Sequence, residues 1–535
     1  MVYRIALVLV GFLQSGLTQR PPMDVEVHPM MTQQECNEYQ CTTVSADIVA
    51  DINWRDLRTS DGTQCYIGNQ WNSTICYNKV DASEVCIAQP VEYEKSLGIT
   101  TNNDALTLRF ITKTEYGITE GSRVYALESE NKYRMYNLLN REIAFDIDLS
   151  QVPCGMNAAL YFSEMDSDGG VGRSGDLGLA GPSSGNGYCD AQGNRDNKFV
   201  NGKSNCKGWM PYTASMGRGY LGVFCSEMDI FEGNSNSNVF TPHVCDTLEY
   251  QVCYGDDCKL DKCDKGGCDY NAFRLGAPYA YGAGEKYLIN TLNKFTVLTQ
   301  FITHDGTDTG FLVAIQRVYY QNNNRIELPM VNVTNPNYPG GKINDTFCQA
   351  ERDAFHEVNV LGTKGGLAQM GRAMAKGMVM VFSIWVDHNT SMLWLDSTFP
   401  PYSTNPGAQR GTCPQDSGKP EDLINQSPNA YQWHRDEYLC KGYTLQACFT
   451  EMKNCALDKR RHGLLNEIKI HQIVTNCFVY YMPTVLQKIW VAFLLQKSLL
   501  ILIKYLKLTN QTLQGFLIPV SYPPSGRTRD SFNGI

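Results

Sequence analysis

Three carboxylates lie close together in the segment CSEMDIFEGNSNSNVFTPHVC, residues 225–245. Glu227, Asp229 and Glu232 occupy positions i, i+2 and i+5 among apolar residues that are typical of a buried strand. On a strand, Glu227 and Asp229 point to the same face. Glu232 joins them only if the strand bends or bulges between, as strands beside active sites often do. Because like charges on one face repel each other, the arrangement costs stability unless it has a use.

Hydrolysis of a glycosidic bond is one reaction that uses such a set of acids. A retaining glycosidase needs two carboxyl groups about 5–5.5 Å apart, one ionised to attack and one protonated to donate. A third acid can hold the nucleophile and keep the two pKa values apart. A solvated strand face and a set of Ca²⁺ ligands also fit this spacing. The spacing alone leaves these three readings open.

The stretch from about residue 21 to residue 430 has the sequence pattern of a β-sandwich. Short apolar runs with a period near two alternate with clusters of Gly, Asn and Asp, which predicts antiparallel strands. One short helix is expected at residues 365–375. The clearest predicted strands are ALTLRFI at 105–111, EIAFDIDL at 142–149, a run at 158–162 and GMVMVFSIWV at 377–386.

Composition and charge narrow the kind of partner. The 535 residues carry a formal net charge of −9. Nucleic acid is therefore not expected as a partner, because phosphate contacts need clustered Lys and Arg. A neutral polymer is compatible with this balance. The 46 glycines suit a protein of strands and loops better than a helical one.

The N-terminus and the cysteines indicate a secreted, extracellular protein. Residues 1–18, MVYRIALVLVGFLQSGLT, have the early Arg, short apolar run and small residues of a signal peptide. The 20 cysteines are then expected to form disulfides in an oxidising compartment. Six Asn-x-Ser/Thr sites are possible glycan acceptors in such a protein: Asn72, Asn332, Asn344, Asn389, Asn425 and Asn510.

The segments around the three acids and along most of the chain resemble glycoside hydrolase family 7, the fungal-type cellobiohydrolases and endoglucanases. The resemblance runs in order from roughly residue 34 to residue 430, so it is more specific than any single motif. The segments that carry it are INWR at 52–55, SQVPCGMNAALYFSEMDSDGG at 150–170, GYCDAQ at 187–192, NKFVNG at 197–202, EMDIFEGNS at 227–235, TPHVC at 241–245, FRLG at 273–276, GGLAQM at 365–370, MLWLDST at 392–398 and NPGAQRGTC at 405–413.

The resemblance implies an all-β fold, a concanavalin-like β-jelly-roll sandwich of two curved antiparallel sheets. Long loops would cover a glucan cleft or tunnel. The implied reaction is retaining hydrolysis of β-1,4-glucosidic bonds in cellulose by a monomer, without a metal or an organic cofactor. Glu227 would be the nucleophile and Glu232 the acid/base, with Asp229 assisting and His243 supporting. Substrate contacts are implied for Trp54, Arg55, Asn157, Tyr161, Asp190, Gln192, Lys198, Arg274, Trp385, Trp394 and Arg410.

Departures from the family pattern bear on whether a glucan chain would be cut from its end or internally. Asp56 stands where the cellobiohydrolases have a tunnel-entrance tryptophan, and the loop at 258–263 is short. Gly266 replaces an expected acidic product contact, whereas the loop that carries Arg410 is present. We expect a partly open tunnel and release of cellobiose from chain ends with reduced processivity. The alternative is an endo-β-1,4-glucanase with an open cleft.

The family pattern also implies a set of disulfides. One family pair is missing at both of its positions, Gly193 and Phe224. Cys76, Cys206, Cys440, Cys448, Cys455 and Cys477 receive no partner from the resemblance. The implied pairs are Cys36–Cys41, Cys65–Cys86, Cys154–Cys413, Cys189–Cys225, Cys245–Cys263, Cys253–Cys258 and Cys268–Cys348.

The last hundred residues differ in character from the catalytic sandwich expected at 19–430. Residues 431–463 are predicted to be a Cys-rich insertion, and LLNEIKIHQI at 464–473 resembles the final core strand of the family. Residues 474–535 form an apolar tail that lysines and a proline interrupt. This tail fits a membrane helix, an interfacial helix or a translated non-coding end, and the sequence leaves these open.

Two other functions remain possible on the sequence. A related sandwich glucanase would act on β-1,3 or mixed-linkage glucan, although the expected platforms at Trp385 and Trp394 favour straight chains. A catalytically decayed, lectin-like protein would bind cellulose without cutting it. The presence of all three acids and His243 argues against decay.

Overall fold

The computed structural model describes residues 25–37, 40–77, 80–115, 117–173, 181–213, 216–331 and 338–441, with side chains up to Arg435. Two large sheets dominate this part of the chain. Every pairing within them is antiparallel except that of Thr32–Cys36 with Tyr431–Lys441, which is parallel. The predicted β-jelly-roll sandwich is confirmed.

The first sheet has ten strands. Its main path, in spatial order, is Cys41–Ser45, Thr32–Cys36, Tyr431–Lys441, Arg141–Asp148, Phe295–Thr303, Leu312–Gln321 and Asn324–Ile326, and its side strands are Lys342–Ile343, Ile99–Asn102 and Ala105–Arg109.

The second sheet has eight strands and contains the three acids predicted from the sequence. Its main path is Lys132–Tyr133, Ser122–Ser129, Met378–Val386, Met156–Ser163, Glu227–Gly233 and Asn238–His243, and its side strands are Met135–Tyr136 and Asp47–Ala50.

Short ladders and helices connect and flank the sheets. The two-stranded ladders are Ile111–Thr114 with Gly117–Glu120, Leu57–Arg58 with Ile87–Ala88, Tyr66–Ile67 with Gln70–Trp71, Phe199–Val200 with Lys203–Ser204, Met210–Pro211 with Gly217–Arg218, Leu221–Phe224 with Gln251–Tyr254 and Tyr281–Gly282 with Ile289–Asn290. The α-helices are Ser73–Cys76, Ala82–Val85, Tyr93–Leu97, Asp345–Phe355, Val360–Thr363, Gly366–Lys376, Leu393–Asp396 and Pro420–Gln426, and the 3₁₀ turns are Ile52–Trp54, Pro182–Ser184 and Gly255–Lys259.

The main core lies between the two sheets, because alternate side chains of each sheet point inward. Ile143, Phe145 and Ile147 come from the ten-stranded sheet, and Leu160 and Phe162 come from the eight-stranded sheet. All five are buried in one apolar cluster. The four strands and the one helix expected from the apolar pattern all form within a few residues of their predicted bounds.

Eight disulfides join the described residues, and all seven implied pairs are among them. The eighth pairs Cys76 with Cys206, two cysteines that the resemblance left without partners. At the position of the missing pair, the ring of Phe224 covers Gly193, where an added Cβ would lie 2.3 Å from it. A large ring against a glycine thus occupies the space of the lost disulfide.

A strand of the sandwich begins directly after residue 430, where the sequence predicted an insertion. Residues Tyr431–Lys441 form a central strand between Arg141–Asp148 on one side and Ala105–Arg109 and Thr32–Cys36 on the other. The prediction that an insertion begins at residue 431 is therefore wrong for these 11 residues, because the chain runs directly from residue 430 into the sheet.

Several other predictions fall outside the described residues. These concern the signal peptide at 1–18, residues 442–463, the strand predicted at 464–473 and the tail at 474–535. Within the part of the chain that the structure covers, no helix is long and apolar enough to cross a membrane.

Candidate active site

A β-bulge brings the three acids to one face of the strand Glu227–Gly233. Asp229 lies opposite Tyr161 on the neighbouring strand, and Phe231 lies opposite Leu160, so one extra residue separates the two pairs. The pairing with Asn238–His243 also shifts between Asp229 and Glu232. An extra residue reverses the alternation of side chains, which returns Glu232 to the face of the other two acids. The bulge that the spacing required is confirmed.

Glu227 is a buried carboxyl group with a backbone donor. Its Oε2 accepts a hydrogen bond from the Ala191 N–H at 3.0 Å. Burial, together with the negative charges of Asp229 and Asp190, raises the pKa of Glu227 well above its ordinary value. The Ala191 N–H and the charge of His243 act in the opposite direction and favour the ionised carboxylate.

His243 is held between two acceptors. Its Nδ1 lies 2.7 Å from the carbonyl oxygen of Asp264 and therefore donates to it, and its Nε2 lies 2.9 Å from Asp229 Oδ2. Burial lowers the pKa of His243, but the hydrogen bond and charge of Asp229 outweigh burial and raise it to about 10. At neutral pH the ring is an imidazolium that donates from both nitrogens. It supplies a positive charge directly beside the acids.

Glu232 has a different environment from Glu227. Its Oε1 accepts a hydrogen bond from Asn157 Nδ2 at 2.7 Å, and Asn157 Oδ1 in turn accepts the Gly233 N–H at 3.0 Å. Burial and the charge of Asp229 raise the pKa of Glu232 to about 8. Below that pH the group keeps its proton, as a general acid requires.

A polar network under the acids was not foreseen from the sequence. Arg123 pairs with Asp51 at 2.8 Å, and its guanidinium lies 3.3 Å from the ring centre of Tyr188. The hydroxyl of Tyr188 is 2.9 Å from that of Tyr161. Nothing in the spacing of Asp51 and Arg123 indicates this pair, since they meet only where Asp47–Ala50 aligns with Ser122–Ser129.

Two of the tryptophans expected to bind sugar, Trp385 and Trp394, lie near Glu232. Trp385 is aligned with Asn157 on the neighbouring strand, and Asn157 is the residue that holds Glu232. The rings of Trp385 and Trp394 are 6.3 Å apart and inclined by 32°. Both are half-buried, so part of each ring is open to solvent. Trp54 is also half-buried, and its indole N–H donates to a backbone carbonyl at 3.2 Å.

Other predicted sugar contacts are tied up in internal bonds. The Arg55 side chain has no exposed surface and pairs with Glu26, so it is a structural residue in this conformation. Lys198 is buried, donates to the Asn53 carbonyl at 2.7 Å, and has its pKa lowered to about 8 by burial. Gln192 is exposed.

Asp190 is buried near Glu227. Its Oδ1 accepts a hydrogen bond from the Gln192 N–H at 2.8 Å. Burial raises the pKa of Asp190 to about 6. At neutral pH it therefore adds a second negative charge close to Glu227, besides that of Asp229.

The two arginines expected on the product side differ in access. Arg274 is fully buried and pairs with Asp269 at 2.6 Å and with Glu351 at 2.7 Å. Arg410 lies 3.4 Å from Asp269, and 16% of its side chain is exposed. Arg410 is therefore the one of the two that can reach a ligand without rearrangement.

One grouping of the described residues has the spacing of metal ligands. It consists of Cys154, Cys413 and Asp396. Because the two cysteines form a disulfide, they have no thiolates to offer a metal ion.

Comparison with known proteins agrees with this geometry. The model of glycosyl hydrolase family 7 matches residues 22–436. Among solved structures, a cellobiohydrolase from Daphnia pulex is 36% identical, with a TM-score of 0.75, over 79% of this chain and 99% of that one. A cellobiohydrolase from Melanocarpus albomyces complexed with cellotetraose is 39% identical, with a TM-score of 0.73, over 79% of this chain and 100% of that one.

Endoglucanases are also similar to the chain. The native endocellulase EGI from Humicola insolens is 31% identical, with a TM-score of 0.66, over 79% of this chain and 99% of that one. The family match covers most of the chain and includes the strand with the three acids. The chain therefore belongs to glycosyl hydrolase family 7 and is a glycoside hydrolase.

Proposed function

We propose that the protein hydrolyses β-1,4-glucosidic bonds in cellulose with retention of configuration, Glu227 being the nucleophile and Glu232 the acid/base. The observation that carries the proposal is the bulge, which places two carboxyl groups with unlike surroundings on one face. Glu227 faces a backbone donor and the imidazolium of His243. Glu232 has a pKa of about 8.

These surroundings support the following reaction steps. Glu232 donates its proton to the leaving oxygen while Glu227 attacks the anomeric carbon, which gives a covalent glycosyl-enzyme. Glu232, now ionised, takes a proton from water, and the water oxygen displaces Glu227 from the sugar. Asp229 is bonded to His243, and its charge raises the pKa of Glu232 and so favours the protonated form of that acid.

Flat apolar surfaces favour a neutral glucan as the substrate. Trp385 and Trp394 offer ring faces against which the C–H faces of sugars pack without any need for charge. The relative from Melanocarpus albomyces is described as a complex with cellotetraose, and a further relative, an endoglucanase I that is 33% identical, as a complex with cellobiose. We assign cellulose as the substrate on this basis.

Release of cellobiose from chain ends is the mode of action that we favour. The two cellobiohydrolases are 36% and 39% identical to the chain, and the endoglucanases named above are 31% and 33% identical. The loop that carries Arg410 is present as well. Internal cutting is the alternative, because Asp56 replaces an entrance tryptophan and the loop at 258–263 is short.

The first experiment is the product profile of the secreted protein on amorphous cellulose, beside a Glu227→Gln variant. Mostly cellobiose with few new reducing ends on the insoluble chains would support attack from chain ends. Mixed oligomers and many insoluble reducing ends would establish an endoglucanase. Full activity in Glu227→Gln would remove Glu227 from the mechanism. Tight binding to cellulose without sugar release by the wild type would mean a decayed enzyme.

A further inference from the structure

The turn that joins the two tryptophan-bearing elements contains a glycan acceptor sequence. This rim turn, residues 387–392, includes Asn389 followed by Thr and Ser. Asn-x-Ser/Thr is the acceptor sequence for N-linked glycans in secreted proteins. Asn389 lies four residues after Trp385 and five residues before Trp394.

The other acceptor sequences in the described residues have asparagines whose side chains are already engaged. Asn72 and Asn425 each donate Nδ2 to a backbone carbonyl, at 3.2 and 2.8 Å. Asn344 uses Oδ1 to cap a helix by accepting a backbone N–H at 2.7 Å. In each case the amide that would carry or orient a sugar takes part in local structure.

Asn389 differs from these three. Its side chain is exposed and makes no hydrogen bond to any described residue. Its position is instead fixed through the backbone, because its N–H donates to Asp387 Oδ1 at 2.8 Å. The amide nitrogen is therefore free to bond to a sugar while the turn itself stays ordered.

The rim turn is connected to the catalytic acids through Trp385. The second oxygen of Asp387 accepts the indole N–H of Trp394 at 3.1 Å, so one carboxylate holds both the acceptor residue and a tryptophan platform. Trp385, at the other end of the turn, is aligned with Asn157, which donates to Glu232 at 2.7 Å. A substituent on Asn389 therefore lies near Trp394, at the edge of the glucan cleft that the proposed function requires.

We propose that Asn389 carries an N-linked glycan that covers the cleft edge beside Trp394 and hinders the sideways entry of internal glucan segments. In the transfer step, Nδ2 bonds to the anomeric carbon of a lipid-linked oligosaccharide diphosphate, loses a proton and releases the lipid diphosphate. A glycan is bulky and strongly hydrated. It obstructs a glucan segment that must enter from the side, whereas the end of a glucan chain can still enter along the cleft. The proposal rests on the proposed action on cellulose.

Occupancy is tested on the full chain secreted from a eukaryotic host. Peptide mapping before and after enzymatic release of N-glycans reports on each acceptor, because release turns the asparagine side chain into a carboxylate. We expect the peptide that contains Asn389 to carry a glycan in most molecules. A secreted, folded protein in which that peptide is unmodified would overturn the proposal.

The effect on the cleft is tested with two variants that abolish the acceptor differently, Asn389→Gln and Ser391→Ala. The control is Thr346→Ala, which removes the acceptor sequence at Asn344 but keeps its helix cap. On amorphous cellulose, both rim variants should shift products towards insoluble reducing ends, and the control should match the wild type. An unchanged ratio in both rim variants would refute the screening role.

A soluble aryl cellobioside separates failure of this proposal from failure of the proposed function. The glycan does not affect so small a substrate, so all four proteins should hydrolyse it equally. A wild type inactive on both substrates would refute the proposed function, whatever the occupancy of Asn389.

Discussion

At the scale of single residues, two glutamates of one strand, Glu227 and Glu232, have different surroundings because each accepts a hydrogen bond from a different donor. Glu232 accepts from the side-chain amide of Asn157. Glu227 accepts from the backbone N–H of Ala191 and is close enough to feel the charge of His243. Burial and the charge of Asp229 raise the pKa of both groups, and the charge of His243 opposes that rise at both. We propose that the division into nucleophile and acid comes from these different hydrogen-bond donors rather than from the residue type.

The pH dependence of catalysis should report on Glu232. As the pH rises through its pKa of about 8, the group loses its proton, so kcat/KM should fall on the alkaline side. Glu232→Gln should lower kcat on cellulose by roughly 10²–10⁴-fold, the usual contribution of a general acid. Rates on an aryl cellobioside with an acidic leaving group should fall less in the first step, since that group needs no proton.

The matched measurement is the pH profile of Asn157→Asp beside the wild type. A carboxylate in place of the amide adds negative charge next to Glu232 and should move the alkaline limb to higher pH. An alkaline limb that stays in place in this variant, and persists in Glu232→Gln, would assign it to another group.

At the scale of elements, the strand Tyr431–Lys441 combines a central position with a buried histidine. His434 is fully buried between Phe145 and Phe382, and neither ring nitrogen has a hydrogen-bond partner among the residues that the structure describes. Burial lowers the pKa of His434 to about 3, so the folded protein keeps the ring neutral where an unfolded chain would protonate it.

Acid should therefore destabilise the fold through His434. The pKa of His434 in the folded protein lies below the unfolded value of 6.5, so the unfolded state binds more protons between pH 6.5 and 3. The unfolded state is therefore stabilised relative to the folded state as the pH falls. The loss of unfolding free energy is on the order of 3–5 kcal/mol across that window. His434→Leu should remove this part of the pH dependence.

Denaturant unfolding at pH 7 and pH 4 measures how much unfolding free energy each protein loses in acid. We expect the wild type to lose more stability than His434→Leu between the two conditions, with similar values near pH 7. Equal losses in the two proteins would show that His434 is hydrated or paired in solution.

At the scale of the whole molecule, the strand Tyr431–Lys441 is an interior strand of the ten-stranded sheet and joins its two parts. It pairs with Arg141–Asp148 over nearly its full length and with Ala105–Arg109 on the opposite side. Without it, two sheet segments would present unpaired backbone groups to solvent, and such edges promote aggregation.

Truncation tests this requirement. Residues 19–441 should give a soluble protein that unfolds cooperatively, whereas residues 19–430 should aggregate or unfold at a much lower temperature. Circular dichroism melts and size-exclusion chromatography of the two chains compare them directly. A stable, active chain of residues 19–430 would show that the final strand is dispensable.

Much of this protein could be predicted from its sequence. The period-two apolar runs predicted the strands, because side chains of a strand alternate between core and solvent. The resemblance to a family implied seven disulfides and the three acids, and the spacing of those acids already required a bulge. These features depend on local pattern or on segments that a family shares, so they can be identified in one dimension.

Only the tertiary structure decided which groups meet. The pairing of Cys76 with Cys206 spans 130 residues, and the ion pair of Arg123 with Asp51 spans 72. Tyr431–Lys441 occupies a central position in the ten-stranded sheet, because the chain enters it without interruption after residue 430. Burial of Arg55, which donates to Glu26 and to the carbonyl of Ser183, likewise depends on neighbours that are distant in sequence. Such contacts follow from the packing of whole sheets, which spacing along the chain does not specify.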